Sequence, residues 1–217
     1  MRDSELRTLV EAVLSGPRPL AVVQAGDPLL RTPALCYDDQ LGDELLHRLV
    51  DAMRAHLPEV GVGIAAPQIG IPLAIAVIED PADVEPDVAA ARERTPQPLL
   101  ELINPVVSPL GDEVVAHYEG CLSVEGWTAV VARHRRVRLD SLDRQGKSTS
   151  VELTGWSARI AQHETDHLNG ILYVDRAETR SLSSIDAYSR LWANPTPRLA
   201  AEQLGFDLSV PEVPSNP

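Results

Sequence analysis

The sequence predicts an α+β fold in which antiparallel or mixed sheets pack around a central helix. Helical patterns occupy the N-terminal part of the chain, strand-like segments cluster between residues 99 and 153, and a further helical segment follows them. Strands that cluster between helices, without alternating with them, favour α+β over a doubly wound parallel sheet. The length of 217 residues suits one domain, residues 1–217.

The N-terminal half contains two predicted helices and one predicted strand. Apolar residues at helical spacing predict a helix over residues 5–14 and a longer amphipathic helix over residues 41–57. The β-rich apolar run at residues 71–78 predicts a short buried strand. Residues 80–98 are rich in proline, alanine and acidic residues, which indicates an exposed insertion.

The C-terminal half contains the predicted sheet strands and the central helix. Turn residues at 143–147 predict a hairpin, and a helix is expected over residues 155–168. A helix is also expected at residues 184–192, and the proline-rich end is expected to fray. The predicted strands cover residues 99–107, 113–118, 130–133, 137–142 and 150–153.

Composition restricts the possible functions. The formal net charge is −13 and no basic block is present, which disfavours nucleic-acid binding. Two cysteines do not make a disulfide framework and suit a reducing compartment. No apolar run approaches the length of about 18–20 residues that a membrane span needs. The N-terminus lacks the pattern of a signal peptide, so a cytoplasmic location is expected.

The most informative motif is H-E-x-x-H, formed by His163, Glu164 and His167 within the predicted central helix. Two histidines four residues apart lie on one helix face, and their ring nitrogens can converge on a metal ion. Glu164 is placed to handle the proton of a water molecule held there. The motif indicates metal-assisted hydrolysis of an amide-like bond, although such a pattern also occurs on solvated helix faces.

A catalytic metal site usually needs a third protein ligand. The longer motif of one peptidase group requires a histidine where Tyr173 stands, and Glu178 lacks the surroundings of a buried ligand. Cys121 is the better candidate because it follows a glycine at a predicted strand end and thiolate binds zinc and ferrous iron well. Cys36 is expected to be a small buried hydrophobic residue.

Three motifs together resemble those of the peptide deformylase family. They are G-V-G-I-A-A-P-Q at 61–68, E-G-C-L-S at 119–123 and Q-H-E-T-D-H at 162–167. The resemblance extends from about residue 27 to residue 175. It implies removal of the N-formyl group from formyl-methionyl nascent peptides. Transient proximity to the ribosome is expected, and the charge and hydropathy predict no direct contact with nucleic acid or membrane.

The resemblance also implies the roles of particular residues. Cys121, His163 and His167 would hold one divalent metal ion, with ferrous iron as the native metal and zinc or nickel as other occupants. Glu164 would act as general base. The Gln68 side-chain amide and the Leu122 backbone N–H would stabilise the oxyanion.

The resemblance further implies that the peptide binds as an additional strand. The implied substrate-binding residues are Gly61, Val62, Gly63, Gly120 and Leu122. Val62, Ile64 and Leu122 are candidate contacts for the methionine side chain, although each also suits a core position. Asp166 is expected to brace the site. Thr128 stands where some family members have a peptide-binding arginine, so no such role is assigned to it.

A second class of function remains open at this point. The chain could be a catalytically silent peptide-binding relative, another HExxH metallopeptidase, or a protein whose metal is structural. A structural site normally has four protein ligands. The presence of both Glu164 and Gln68 favours an active enzyme, because a silent relative would often have lost one of them.

Overall fold

The computed structural model describes residues 2–208, apart from the side chains of Glu59 and Val60. Two helices open the chain, α1 at Asp3–Leu14 and α2 at Asp43–Val60. A short helix, α3 at Pro86–Arg92, lies within the predicted insertion, and α4 at Gly155–Leu168 is the central helix. Two short helices, α5 at Ile185–Ala187 and α6 at Arg198–Leu204, follow near the C-terminal end.

Within residues 2–208, eight strands form two antiparallel sheets. The five-stranded sheet has the order β1-β2-β3-β6-β7, and the three-stranded sheet has the order β4-β5-β8. The strands are β1 Gly63–Ala65, β2 Ile75–Asp80, β3 Gln97–Pro109, β4 Val114–Gly120, β5 Trp127–His134, β6 Arg136–Leu142, β7 Ser148–Thr154 and β8 Ala177–Ser184.

Strand β2 of the five-stranded sheet is buried on both faces. Along β2, Ile75 and Val77 pack into the core cluster that contains α1 and α2 residues, whereas Ala76 and Ile78 pack into the cluster that contains α4 residues. This alternation follows from the two-residue period of a strand. Helix α4 also contacts β5 of the smaller sheet, so it lies between the two sheets and can bring residues of both into one site.

The predicted fold class and central helix are confirmed, including the bounds of the helix at residues 155–168. The hairpin at 143–147 is also confirmed, since the Asp143 amide donates to the Lys147 carbonyl. The expected helix at 184–192 is instead the short α5 followed by a π-helical turn, Tyr188–Trp192. Strand β8 and helix α6 were not predicted. The fraying expected at the proline-rich end concerns residues that include 209–217, which lie outside the described part of the chain.

The expectation of a simply exposed insertion at residues 80–98 is wrong in part. Asp80 is buried and accepts two hydrogen bonds of 2.8 Å from Arg94, which closes the insertion on itself. Glu93 adopts a left-handed conformation with φ of 46° at the end of α3. The insertion is therefore an ordered part of the fold, because one buried ion pair fixes both of its ends.

In the part of the chain that the structure describes, every helix is too short or too polar to cross a membrane.

Candidate active site

Cys121, His163 and His167 converge in space. Cys121 directly follows β4, and the two histidines lie one turn apart on α4. One possible ligand atom from each of the three residues lies within 4.8 Å of the other two. The Cys121 Sγ is 3.2 Å from the His167 Nε2. The structure thus brings together three side chains that are far apart in sequence.

Glu119 orients the first histidine. Its carboxylate accepts a 3.0 Å hydrogen bond from the His163 Nδ1, which leaves Nε2 available to a ligand. The same carboxylate accepts hydrogen bonds from the buried guanidinium groups of Arg133 and Arg159. Burial alone would raise the pKa of Glu119, but these charges and hydrogen bonds outweigh it and hold the pKa well below its usual range.

Asp166 belongs to the same buried network. It accepts hydrogen bonds from Arg133 at 2.5 Å and from Arg176 at 2.8 and 2.9 Å. Arg133 therefore links a carboxylate of β4 to a carboxylate of α4. This link helps to hold α4 in position against the smaller sheet. Asp166 thus ties α4 to Arg133 of β5 and to Arg176.

Glu164 faces the same space from α4. Its side chain is only 4% exposed, and burial raises its pKa to about 7. Its Oε2 has no hydrogen-bond partner among the described residues. A methyl group on Gly63 would lie 2.4 Å from the Glu164 Oε1, so the absence of a side chain at Gly63 gives the carboxylate its room.

Gln68 reaches the site from the other side. It lies in a 3₁₀ turn, Ala66–Ile69, and its Oε1 accepts a 2.9 Å hydrogen bond from the Ala65 amide. This bond points the Nε2 group towards the Cys121 Sγ at 3.6 Å and the Ser123 Oγ at 3.4 Å. The buried amide is therefore a fixed donor beside the three converging residues.

An open cleft of about 660 Å³ leads to these residues. The proposed substrate-binding residues all line it, namely Gly61, Val62, Gly63, Gly120 and Leu122. Ile64 does not; it is fully buried in the core cluster with α2, so its role as a pocket contact is not supported. Apart from its chain neighbours, no described residue lies within 4 Å of a methyl group built on Gly61, which leaves space beside this part of the cleft.

The remaining sequence candidates lie elsewhere. Tyr173 is buried behind the site, where its ring stacks on that of His163 and its hydroxyl donates to the Trp127 carbonyl at 3.0 Å. Glu178 lies on β8, outside the converging cluster. Cys36 is exposed, so the expectation that it is buried is wrong.

Three charged residues of the buried network, Glu119, Arg133 and Arg159, have no role in the sequence-based predictions. Arg159 lies four residues before His163, hence on the same face of α4, and Glu119 lies two residues before Cys121. Arg133 has no such local signal, because its partners come from β4 and α4. The pairing of β4 with β5 sets Arg133 opposite Val115, and its long side chain reaches from there to the Glu119 carboxylate.

The residues present fit a catalytic metal ion. One thiolate and two imidazoles are donors that suit divalent transition metals. Three protein ligands leave a coordination position open, as catalytic sites require. A hydrogen-bonded carboxylate behind one histidine is the usual support of such ligands. With a buried carboxylate at its edge and a cleft in front, this site defines the chain as a metal-dependent hydrolase.

Comparison with known proteins identifies the family within this class. The description "Polypeptide deformylase" belongs to a family profile that matches residues 19–182. Peptide deformylase 3 of Streptomyces avermitilis is 56% identical over 92% of this chain and 89% of that protein. The mitochondrial peptide deformylase of Homo sapiens is 37% identical over 85% of this chain and 79% of that protein.

Solved structures show the same likeness. The Met-Ala-Ser-bound class I type b peptide deformylase from Acinetobacter baumannii has a TM-score of 0.65 and 34% identity, covering 72% of this chain and 97% of that one. The chain belongs to the peptide deformylase family. Its activity is the removal of the N-formyl group from nascent peptides.

Proposed function

We propose that Cys121, His163 and His167 hold one divalent metal ion with which the chain hydrolyses the formyl group of formyl-methionyl peptides. The observation that supports this most is the convergence of three ligand atoms within 4.8 Å beside the buried carboxylate of Glu164. Ferrous iron is the proposed native metal, with zinc or nickel as other occupants, since the donor set suits all three. When bound, the metal lowers the pKa of water and polarises the formyl carbonyl.

Glu164 is the proposed general base. Its raised pKa, about 7, suits a group that takes a proton from the attacking water and returns it to the leaving amine nitrogen. The position of the carboxylate is supported by Gly63, whose bare backbone packs against it. General acid–base help of this kind contributes roughly a hundred- to ten-thousandfold in rate.

Gln68 and Leu122 are the proposed oxyanion donors. The Gln68 amide is held by the Ala65 N–H, so its Nε2 is preorganised before the substrate arrives. Leu122 follows Cys121 directly and lines the cleft. Loss of one preorganised donor typically costs about 2.7–4 kcal/mol of transition-state stabilisation.

The peptide is proposed to bind as an added strand beside Gly61, Val62 and Gly63. This placement is supported by the position of β1 at the edge of the five-stranded sheet, where its only strand partner among the described residues is β2. Backbone hydrogen bonds to an edge strand give affinity that is independent of the peptide sequence. Gly120 and Leu122 would line the opposite wall of the cleft.

The setting of the reaction is also a proposal. Formyl-methionyl nascent peptides are the proposed partners, which favours the cytoplasm and transient proximity to the ribosome. We also propose that residues 1–217 act as one domain. This is supported within the described residues by α1 packing on α2, and by Trp192 and Ala200 packing against Tyr118 and Val130 of the smaller sheet.

Formate release from a formyl-Met peptide by anaerobically purified, iron-loaded protein tests the activity. Zinc- and nickel-loaded samples, chelator-treated protein and the unformylated peptide complete the set. We expect chelator-sensitive release that is fastest with iron. No release from folded, fully metallated protein would contradict the proposal and favour a silent relative.

Two variants separate the proposed roles. Glu164→Ala should lose about a hundredfold or more in kcat and keep its metal, because it removes the base and no ligand. Cys121→Ala should lose metal as well as activity. Metal content by elemental analysis, measured with the rate, distinguishes them. Retention of most activity by Glu164→Ala would show that the base is assigned wrongly.

A further inference from the structure

The cleft extends well past the proposed metal ligands. Its far end is lined by Trp156 at the start of α4, by Arg92 at the end of α3, and by Tyr188 in the π-helical turn. Neither α3 nor the C-terminal segment contains any of the three motifs that identify the site. Both nevertheless contribute side chains to the walls of the cleft.

Helix α4 sets the depth of this end of the cleft. Trp156, Ile160 and His163 follow one another at spacings of four and three residues, so they lie on one helix face, and all three line the cleft. Seven residues separate Trp156 from His163, a rise of roughly 10 Å along the helix. The distance from the formyl carbon to the end of a methionine side chain is on the order of 7–8 Å, from bond lengths of about 1.5 Å.

The length of the methionine side chain and the distance along α4 match once a van der Waals contact distance is added. Apolar atoms in contact are about 4 Å apart, so a first side chain directed along α4 from the reacting end would meet the Trp156 region with its terminal methyl group. Helix α4 lies under β1, and alternate side chains of a peptide added to β1 would point towards it. The Trp156 end of the cleft is thus placed to receive the substrate's first side chain.

Arg92 lies at this end of the cleft. Its guanidinium carbon lies 5.0 Å from the centre of the Trp156 ring, a cation–π distance. Its Nη2 is 3.5 Å from the Tyr188 hydroxyl, and the Tyr188 ring lies 4.9 Å from that of Tyr118. Arg92 forms no ion pair among the described residues, so its position depends on these aromatic contacts and on its helix.

The insertion that carries Arg92 is firmly attached to the rest of the fold. Arg94 binds the buried Asp80, and Glu93 binds Arg135 at the start of the β5–β6 connection. A methyl group on Gly155 would lie 2.5 Å from the Glu93 Cβ, so the insertion packs directly on the first residue of α4. Arg92 is therefore held at a fixed distance from the helix face that lines the cleft.

We propose that Arg92 and Tyr188 are specificity-determining residues that form the end wall of the pocket for the substrate's first side chain. The wall stops the pocket near the length of methionine. The insertion at residues 80–98 thereby contributes to substrate selection, since it supplies Arg92 to the end wall. This inference rests on the proposed deformylase function of the same cleft.

Formyl peptides that differ only in the length of an unbranched first side chain test the proposal. Norleucine has the length of methionine, and 2-aminooctanoic acid is longer by two methylene groups. The quantity to measure is the ratio of kcat/KM for these two substrates. We expect the parent to prefer norleucine clearly. In Arg92→Ala the preference should fall by about tenfold, because each methylene newly accommodated contributes about 0.8 kcal/mol.

Tyr188→Ala is the second variant and should shift the ratio in the same direction. It keeps the proposal testable if Arg92→Ala folds poorly. Arg138→Ala is the matched control, because Arg138 lies on β6, pairs with Asp140 and is absent from the cleft. It should keep the parental ratio. Inactivity of the parent on the formyl-Met peptide would contradict the proposed function. An active parent whose ratio is low, or is unchanged in both wall variants, would overturn the inference alone.

Discussion

Individual residues in this site are fixed by contacts that begin far away in the sequence. Glu119 accepts hydrogen bonds from His163, Arg133 and Arg159, which come from two different elements. One buried carboxylate and two buried guanidinium groups can coexist here because the guanidinium groups compensate for the desolvation of the carboxylate. The His163 ring is therefore held in one orientation before any metal binds to its Nε2.

Gly63→Ala tests the packing of the base. The new methyl group would fall 2.4 Å from the Glu164 Oε1, so the carboxylate must move. A displacement of about 1 Å at a catalytic group costs on the order of a hundredfold in rate, and we expect a fall of that size in kcat. Gly61→Ala is the control for folding. Among the described residues other than its chain neighbours, none lies within 4 Å of its methyl position, so its Tm should stay at the parental value. A kcat of Gly63→Ala close to that of the parent would contradict the packing argument.

At the scale of elements, α4 and the insertion pack directly against each other. Helix α4 was predicted with its correct bounds because its apolar and ligand residues recur at helical spacing. Helix α3 and the short helices after β8 were harder to predict. They have three to seven residues each, too few for a hydrophobic period to emerge, and tertiary contacts stabilise them.

Gly155→Ala tests the contact between the insertion and α4. Gly155 has φ of 61°, and its methyl group would also collide with Glu93. Gly146 has φ of 75° in the hairpin turn and open space around it, so Gly146→Ala should cost only the backbone strain of about 1–2 kcal/mol. Gly155→Ala should lose clearly more free energy of unfolding, measured in urea. Equal losses in the two variants would show that the insertion does not pack tightly on α4.

At the scale of the whole molecule, the site exists only because α4 lies between two sheets. Glu119 and Cys121 come from the smaller sheet and its end, while Gly63 and Gln68 come from the edge of the larger sheet. A metal ion bound by Cys121 and α4 would tie the smaller sheet to the helix. Binding of the metal should therefore stabilise the assembled molecule.

Metal removal should lower Tm. A ligand that binds only the folded state at about a hundred times its Kd adds about 2.7 kcal/mol. For a chain of this size that corresponds to a fall of roughly 5–10 °C when a chelator removes the metal. Cys121→Ala should show no further fall with chelator, because it has already lost a ligand. An unchanged Tm of the parent, with metal removal verified by elemental analysis, would contradict the proposed coupling.

The sequence alone determined the class of fold, the central helix and the chemistry of the proposed site. These depend on local signals, namely helical spacing, strand-like runs and three short motifs. Tertiary structure decided the rest. Whether Ile64 lines the cleft or the core, where Arg133 finds its carboxylates and what Arg92 of the insertion contacts all depend on which elements pack together. Such packing depends on pairs of residues far apart in the chain. The sequence pattern within a single segment therefore cannot predict it.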